Sequence, residues 1–401
     1  MRILTVGNMY PPHHLGGYEI TWRSSVEHLR AAGHRVSVLT TDFVRAGVSG
    51  GDEPGVSREL RWYWRDHRFP RLGLGSRIAL ERHNAEVLDR HLGHERPDAV
   101  CWWAMGGMSL GLVERVRRRG LPAAGVVGDD WMVYGPKVDA WLRVAGRGGF
   151  GSALARAAGL PASLDLSRSA LWLFNSERTR AAALETGLDP RSARVANPGI
   201  DTRLFAPAAE HPWEWRLACV GRIDPRKGLT LAVEALAELP QARLRLAGAG
   251  DDRHASELLE RARALGVSER FELREAARSE VAEVYGAADA VLFPVLWEEP
   301  WGLAPLEAMA CGRPVIASGH GGSAEYLRDG ENCLISPPED GGAGLARALE
   351  RLAGDERLRA RLREGGLATS NRFTEQSYNE RIEVTLDEVA GRRAPSPGGP
   401  P

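Results

Sequence analysis

The sequence predicts an α/β protein made of two doubly wound units, each a parallel sheet with helices on both faces. Three observations carry that expectation. The chain opens with a buried strand RILTVGN, a helix through about Ala32 and a second strand Val36 to Thr40. A strand pattern starts afresh at Trp215 to Val220, after VANPGID and a proline-marked passage near Pro198 to Pro207. Further on, Ala290 to Ser318 reads as strand, loop, short helix and strand, with short apolar runs of the kind that fill buried parallel strands.

The bulk properties bound the function. At 401 residues and 43% apolar content, the chain can build two or three cores. A net charge of -1 predicts no nucleic-acid partner. No apolar run approaches a membrane span, and the N-terminus reads as a strand and not as a signal peptide, so a cytoplasmic chain without stable membrane insertion is expected. Cys101, Cys219, Cys311 and Cys333 are widely spaced and read as buried free thiols. Only Lys137 and Lys227 are lysines among 52 basic residues, which singles out both positions.

In the first half, Gly16-Gly17 stands just before the first helix, where glycine lets backbone approach a phosphate closely or simply makes a tight turn. Residues 44 to 75, with SRELRWYWRDHRFPRLG, read as a long irregular excursion that could line an acceptor site, or as an edge hairpin with a strand through Leu60 to Trp64. A helix over about Ser76 to Leu92, a strand Ala99 to Trp103, a glycine turn at Gly106-Gly107 and a helix Leu110 to Arg118 follow. Strand Ala123 to Val127 ends in Gly128-Asp129-Asp130-Trp131, polar residues at the strand end where such sheets bind ligands. One aspartate there could cap the following turn, or a carboxylate could act as hydrogen-bond acceptor or weak base. Trp102, Trp103 and Trp131 gather near these ends; aromatic faces stack on sugar rings, although tryptophans more often belong to the core. Ala170 to Asn175 is the next strand.

In the second half, Gly221-Arg222-Ile223-Asp224-Pro225-Arg226-Lys227-Gly228 follows a strand. Arg222 as a bidentate fork and Lys227 as a point charge can clamp a diphosphate. Leu244 to Ala247 and Phe271 to Arg274 are further strands. After Gly302, a helix of about two turns begins at Leu303 and is stopped by Gly312 and Pro314, so N–H groups near Gly302, Leu303 and Ala304 face the loop. Glu299 and Glu307 bracket that anion-binding turn, and carboxylates accept hydrogen bonds from sugar hydroxyls while repelling phosphates. The combination points to a nucleotide sugar.

Glu299-Pro300-Trp301-Gly302-Leu303-Ala304-Pro305-Leu306-Glu307-Ala308-Met309 resembles the acid, seven residues, acid signature of GT-B glycosyltransferases of retaining family 4. Gly-Arg with Lys-Gly around Arg222 and Lys227, VANPGID and GHGGSAE agree with it in order and spacing. The resemblance implies two Rossmann-like domains facing each other across a cleft: residues 1–200 for the acceptor, 201–373 for the nucleotide sugar, a helix over 374–390 crossing back, and a disordered tail over 391–401. It implies a retaining hexosyl transfer from a UDP- or GDP-sugar to a saccharide or natural-product hydroxyl, with no cofactor and no metal. Glu307 would hold ribose hydroxyls and Glu299 the donor sugar. Arg222 and Lys227 would hold the leaving diphosphate, with Gly16, Gly17 and the Gly302, Leu303 and Ala304 amides completing the cradle. Many relatives have His-Asp near Gly128-Asp129, and the missing imidazole leaves Asp129 and Asp130 as catalytic candidates, with His13 and His14 as substitutes from the opposite loop. His13, His14, Trp102 and Trp131 are the candidate acceptor contacts. Two other readings stay open: a non-catalytic nucleotide-sugar-binding subunit and a nucleotide-sugar 2-epimerase.

Overall fold

The computed structural model describes residues 1–51, 53–64, 69–146 and 148–392. The chain forms two compact units, Met1–Ala196 with the chain from Asn379 onward, and Asn197–Tyr378. In the first, strands β1 (Arg2–Val6), β2 (Arg35–Thr41), β3 (Val56–Leu60), β4 (Ala99–Trp102), β5 (Ala123–Val127), β6 (Leu171–Phe174) and β7 (Ala193–Val195) make one parallel sheet in the order β3-β2-β1-β4-β5-β6-β7. Strands β4 and β5 are buried along their whole length, as strands covered on both faces must be. The helices are α1 (Gly17–Ala31), α2 (Leu74–Glu95), α3 (Gly111–Arg118), α4 (Trp131–Val138), α5 (Leu142–Ala145), α6 (Gly148–Ala158) and α7 (Glu177–Leu184). The strand order reverses between β1 and β4, so the loops after these two strands diverge and leave room for a ligand.

The second unit repeats the plan. Strands β8 (Arg216–Val220), β9 (Arg243–Ala247), β10 (Phe271–Arg274), β11 (Ala290–Phe293), β12 (Val315–Ala317) and β13 (Leu334–Ile335) are parallel in the order β10-β9-β8-β11-β12-β13. Helices α8 (Leu229–Glu238), α9 (Asp252–Ala264), α10 (Val281–Ala287), α11 (Leu303–Ala310), α12 (Gly341–Gly354) and α13 (Glu356–Ser370) surround it. Here the switch lies between β8 and β11. The last helix, α14 (Glu375–Val389), begins in this unit, and its residues from Asn379 group with the first. There Glu383 accepts from His28 and His34, and Arg194 forks onto Glu388 at 2.8 Å through both terminal nitrogens.

One expected element differs. The excursion after β2 contains no hairpin strand at Leu60 to Trp64. It pairs earlier, as the parallel edge strand β3, whose Leu60 is buried while Arg58 donates to the Tyr10 and Pro11 carbonyls at 3.0 and 2.8 Å. Those bonds fix the register and leave Trp62 and Trp64 beyond the strand. Residues 393–401 of the expected tail lie outside the described residues. The four cysteines are buried free thiols, and burial pushes the Cys101 and Cys219 thiols up to about 12.

The core of the first unit holds a carboxyl pair. Glu81 on α2 and Asp139 after α4 are 2% and 1% exposed. The Tyr63 hydroxyl donates to Glu81 Oε1 at 2.6 Å, and Asp139 accepts from the Leu110, Trp141 and Leu142 amides at 2.8 to 3.0 Å. Burial raises both above the carboxylate range, and the Asp139 charge raises Glu81 further. The folded state therefore binds protons more tightly than the unfolded chain, so this pair lowers stability as pH rises through and above the ordinary carboxylate range. Glu81→Gln should narrow that loss. Melting temperatures between about pH 5 and about pH 9 are expected to fall less for the variant than for the parent, and parallel curves would remove the titration from Glu81.

Candidate functional site

In the second unit the candidate residues sit on the loops at the switch between β8 and β11. The loop after β8 closes as a tight turn, Pro225–Lys227, capped by the Asp224 carboxylate, which accepts from the Arg226 amide at 3.0 Å. The turn needs Gly228, with φ +64 and a Cβ position 1.9 Å from the Pro294 carbonyl oxygen. No other residue lets the two switch loops approach so closely. The Leu296 amide bonds the Arg226 carbonyl at 2.8 Å and seals them together.

Charge is arranged tightly on this frame. Arg226 forks onto Asp224 at 3.0 and 2.7 Å, and Arg222 Nη2 stands 3.2 Å from the same carboxylate. Burial alone would raise Asp224, but Arg226 and Arg222 hold it well below the usual carboxylate range. Asp224 thus stays anionic and aims Arg222. Lys227 Nζ lies 2.6 Å from Glu299 Oε2, which also accepts from Trp297 Nε1 at 2.8 Å. Arg226 covers the Trp297 ring at 4.4 Å. The two residues that the sequence assigned to phosphate and sugar, Lys227 and Glu299, are therefore in direct contact, and a ligand must share or replace that ion pair.

Gly302 caps α11 with φ +86, a conformation that favours glycine, and the amides of Leu303 and Ala304 open the helix without intrahelical partners. Glu307, one turn further, is 4% exposed. Its Oε1 accepts from Arg278 Nη1 at 2.5 Å and its Oε2 from the Tyr285 hydroxyl at 3.0 Å. Both oxygens keep a second lone pair for a further donor. Arg278, which also covers the Phe205 ring at 4.8 Å, was missed in the sequence, since no spacing ties it to Glu307. The Gly322 amide donates to the Glu299 carbonyl at 2.7 Å, so the loop after β12 fixes the backbone of that glutamate.

In the first unit, Asn8 and Gly106 occupy the switch between β1 and β4. The Gly106 carbonyl accepts from Asn8 Nδ2 at 3.3 Å and from Trp62 Nε1 at 3.1 Å, while Asn8 Oδ1 is buried without a hydrogen-bond partner among the described residues. Gly16 caps α1, and its amide donates to Glu19 Oε2 at 2.9 Å. That amide is already engaged within the turn, and Gly17 is the exposed member of the pair. His13 is also corrected. It is 4% exposed, with Nε2 against the Gly50 carbonyl at 2.9 Å, and it ties down its own loop. His14 is half-buried against the Gly16 carbonyl, and burial lowers its pKa.

Trp102 and Trp131 are fully buried, so neither offers a face to an acceptor. Both belong to the core under β4 and β5, where large aromatics fill the space between sheet and helices. The half-exposed aromatics are others. Trp62 and Trp64 stack at 4.7 Å, Phe43 meets both edge-on at 5.9 and 6.0 Å, and Phe69 is 44% exposed. The run SRELRWYWRDHRFPRLG was the sequence signal for Trp62, Trp64 and Phe69, and Phe43 lies outside it.

At the end of β5, Asp129 accepts from the Tyr134 hydroxyl at 2.9 Å and the Trp131 amide at 3.3 Å. Burial pushes it up to about 6, Asp130 adds to the rise, and the two donors oppose it. Asp130 is ion-paired with Arg178. The ring of Tyr18 packs over Gly128, where a Cβ would lie 2.8 Å from two of its atoms, so a side chain at 128 has no room. Among the described residues no three His, Cys, Asp or Glu side chains converge as a metal site, and no helix is long and apolar enough to cross a membrane.

Comparison with known proteins places this geometry among relatives. A family model described as "Glycosyltransferase Family 4" matches residues 15–204, and one described as "Glycosyl transferases group 1" matches residues 214–355. The D-inositol 3-phosphate glycosyltransferase of Stackebrandtia nassauensis is 33% identical over 230 residues, covering 52% of this chain and 52% of that protein. Its namesake from Salinispora arenicola is 32% identical over 232 residues, covering 50% and 51%. The match thus spans about half the length of these curated relatives. Sucrose-phosphate synthase from Thermosynechococcus elongatus superposes with a TM-score of 0.74 at 21% identity, covering 98% of this chain and 99% of that one. Anabaena HepE in complex with UDP and glucose gives 0.71 at 21%, covering 96% and 99%. At such identities the likeness shows the fold.

Proposed function

Since the chain belongs to the family 4 glycosyltransferases of GT-B fold, with two Rossmann-like units, we propose that it moves a sugar from a nucleoside-diphosphate sugar to an acceptor hydroxyl, with retention and without a metal. The observation that carries this reading is the contact of Lys227 with Glu299 beside Arg222, at the switch between β8 and β11. Lys227 and Arg222 bind the diphosphate and stabilise its charge as it leaves, the work a metal does elsewhere. The Leu303 and Ala304 amides add donors, Glu299 accepts from the sugar hydroxyls, and Glu307 accepts from the ribose. The bond from the sugar C1 to the diphosphate breaks, the acceptor oxygen joins C1 on the same face, and its proton leaves on the departing diphosphate. Catalysis is then positioning plus charge stabilisation.

The relatives named for D-inositol 3-phosphate and the UDP held by HepE favour a UDP-sugar donor and a cyclic polyol or saccharide acceptor. Asp129 and the aromatics Trp62, Trp64 and Phe43 take the acceptor side, in place of Trp102 and Trp131. Tyr18 over Gly128 favours a second reading, a nucleotide-sugar-binding subunit without turnover.

A thermal-shift screen against UDP, GDP, ADP and dTDP, with and without EDTA, tests the donor site. A ligand at about a hundred times its dissociation constant adds about 2.7 kcal/mol of apparent stability. An EDTA-insensitive shift with UDP is the expected result, and sugar transfer from a matching UDP-sugar to a polyol excludes the second reading. Absence of a shift with every nucleotide would overturn the donor site, and a shift abolished by EDTA would overturn its metal independence.

A further inference from the structure

A cavity of about 390 Å³ opens between the end of α3 and α6 in the first unit, lined by Arg115, Arg118, Arg119 and Arg156, with Leu160 and Pro161 completing the wall. Among the described residues no carboxylate lines it. Arginines at 115, 118 and 119 suit the negative end of α3, which explains their presence on that helix. It does not explain why Arg156, from a different helix, converges on the same cavity.

The guanidiniums are aimed by anchors outside the lining. Arg115 turns Nε and Nη2 onto Asp89 at 2.7 and 2.5 Å, and Arg119 Nη2 lies 2.7 Å from the same carboxylate. Arg118 Nε lies 2.7 Å from Glu114, which Arg117 also holds. Each of these three guanidiniums has five N–H donors and spends one edge or less on its anchor, so donors are left over on all three. Four arginines, counting Arg117 beside the wall, meet two carboxylates, and Arg156 brings a further positive charge to the cavity.

The place in the fold separates this cavity from the candidate site. Helix α3 starts beyond the C-terminal end of β4 and finishes at Arg118, five residues before β5 begins at Ala123. Arg115 to Arg119 therefore lie at the edge of the sheet opposite to the one that carries Asn8, Gly106 and Asp129.

We propose that this cavity binds a phosphate monoester, as a small phosphorylated metabolite or as the headgroup of an anionic lipid. A singly charged carboxylate leaves like charges facing one another across the cavity. A phosphomonoester carries up to two charges and three terminal oxygens, and so accepts from several forks at once. The volume lies within the range of small-molecule sites, about 300 to 1,000 Å³.

The soluble probe is glycerol 3-phosphate, titrated into the full chain by calorimetry. Sedimentation with phosphatidylcholine vesicles, with and without phosphatidic acid, is the lipid arm. Arg156→Gln and Arg118→Gln should each weaken binding by about tenfold, as expected when one charge-assisted contact is lost, and added salt should weaken it further. Lys227→Ala should leave this binding unchanged, which keeps the result apart from the donor site. Saturable binding of glycerol 3-phosphate identifies a metabolite site, and Arg156-dependent sedimentation with phosphatidic acid alone identifies a headgroup site. Binding in neither arm, or equal binding by the parent and both arginine variants, overturns the proposal.

Discussion

Lys227→Ala is expected to lower the rate of sugar transfer by about 10² to 10³-fold at saturating donor, the range for removing one donor aimed at developing charge. The ammonium meets charge that grows as the diphosphate departs, so its loss should appear in kcat more than in KM. The same ammonium also neutralises Glu299, which is 8% exposed, so the variant leaves a carboxylate whose remaining side-chain donor, among the described residues, is Trp297. Breaking a buried pair by removing one partner costs up to about 3 to 5 kcal/mol, and partial exposure of both side chains puts this one below that range. The double variant Lys227→Ala with Glu299→Gln separates the effects. It removes the stranded charge and should recover melting temperature, while turnover stays low. A single variant with kcat within about twofold of the parent would take Lys227 out of the reaction.

The proposed donor half of the site could be read from the sequence because its residues are constrained by backbone geometry that also shows in sequence. Gly228 must be glycine to let the two switch loops touch, Gly302 must be glycine to cap α11, and the charged residues are counted off from them. A strand ending in such a glycine tells where the next side chains project. The acceptor half carried no comparable signal. Trp102 and Trp131 occupy strand-end positions that look available in one dimension, yet helices on both faces of the sheet bury them completely. Trp62 and Trp64 are half-exposed because Arg58 bonds fix the register of β3 and leave these residues beyond it, a long-range cause invisible in a local window. Tyr18 and Arg278 act through space on Gly128 and Glu307, 110 and 29 residues away along the chain. Periodicity reports which face of an element is apolar, and it says nothing about which distant side chain will lie over a given glycine.

Asp129→Asn is expected to leave nucleotide binding unchanged and to lower transfer by about 10²-fold, the lower range for loss of a carboxylate that orients the acceptor hydroxyl while its proton passes to the diphosphate. Asparagine keeps the shape and one oxygen, so the bonds from the Trp131 amide and the Tyr134 hydroxyl need not both fail. What it removes is the charge. Burial has pushed Asp129 up to about 6, so the parent carboxyl is mostly ionised at neutral pH and protonates as pH falls through that value. Transfer by the parent should accordingly fall on the acid side with a midpoint near 6, and that limb should disappear in Asp129→Asn. Asp130→Asn serves as the companion, because its carboxylate is committed to Arg178 and its charge contributes only the smaller part of the rise at Asp129. It should move the midpoint of the parent profile downward without abolishing the limb. If Asp129→Asn transfers sugar at the parent rate with the same acid limb, the carboxylate serves only to cap α4.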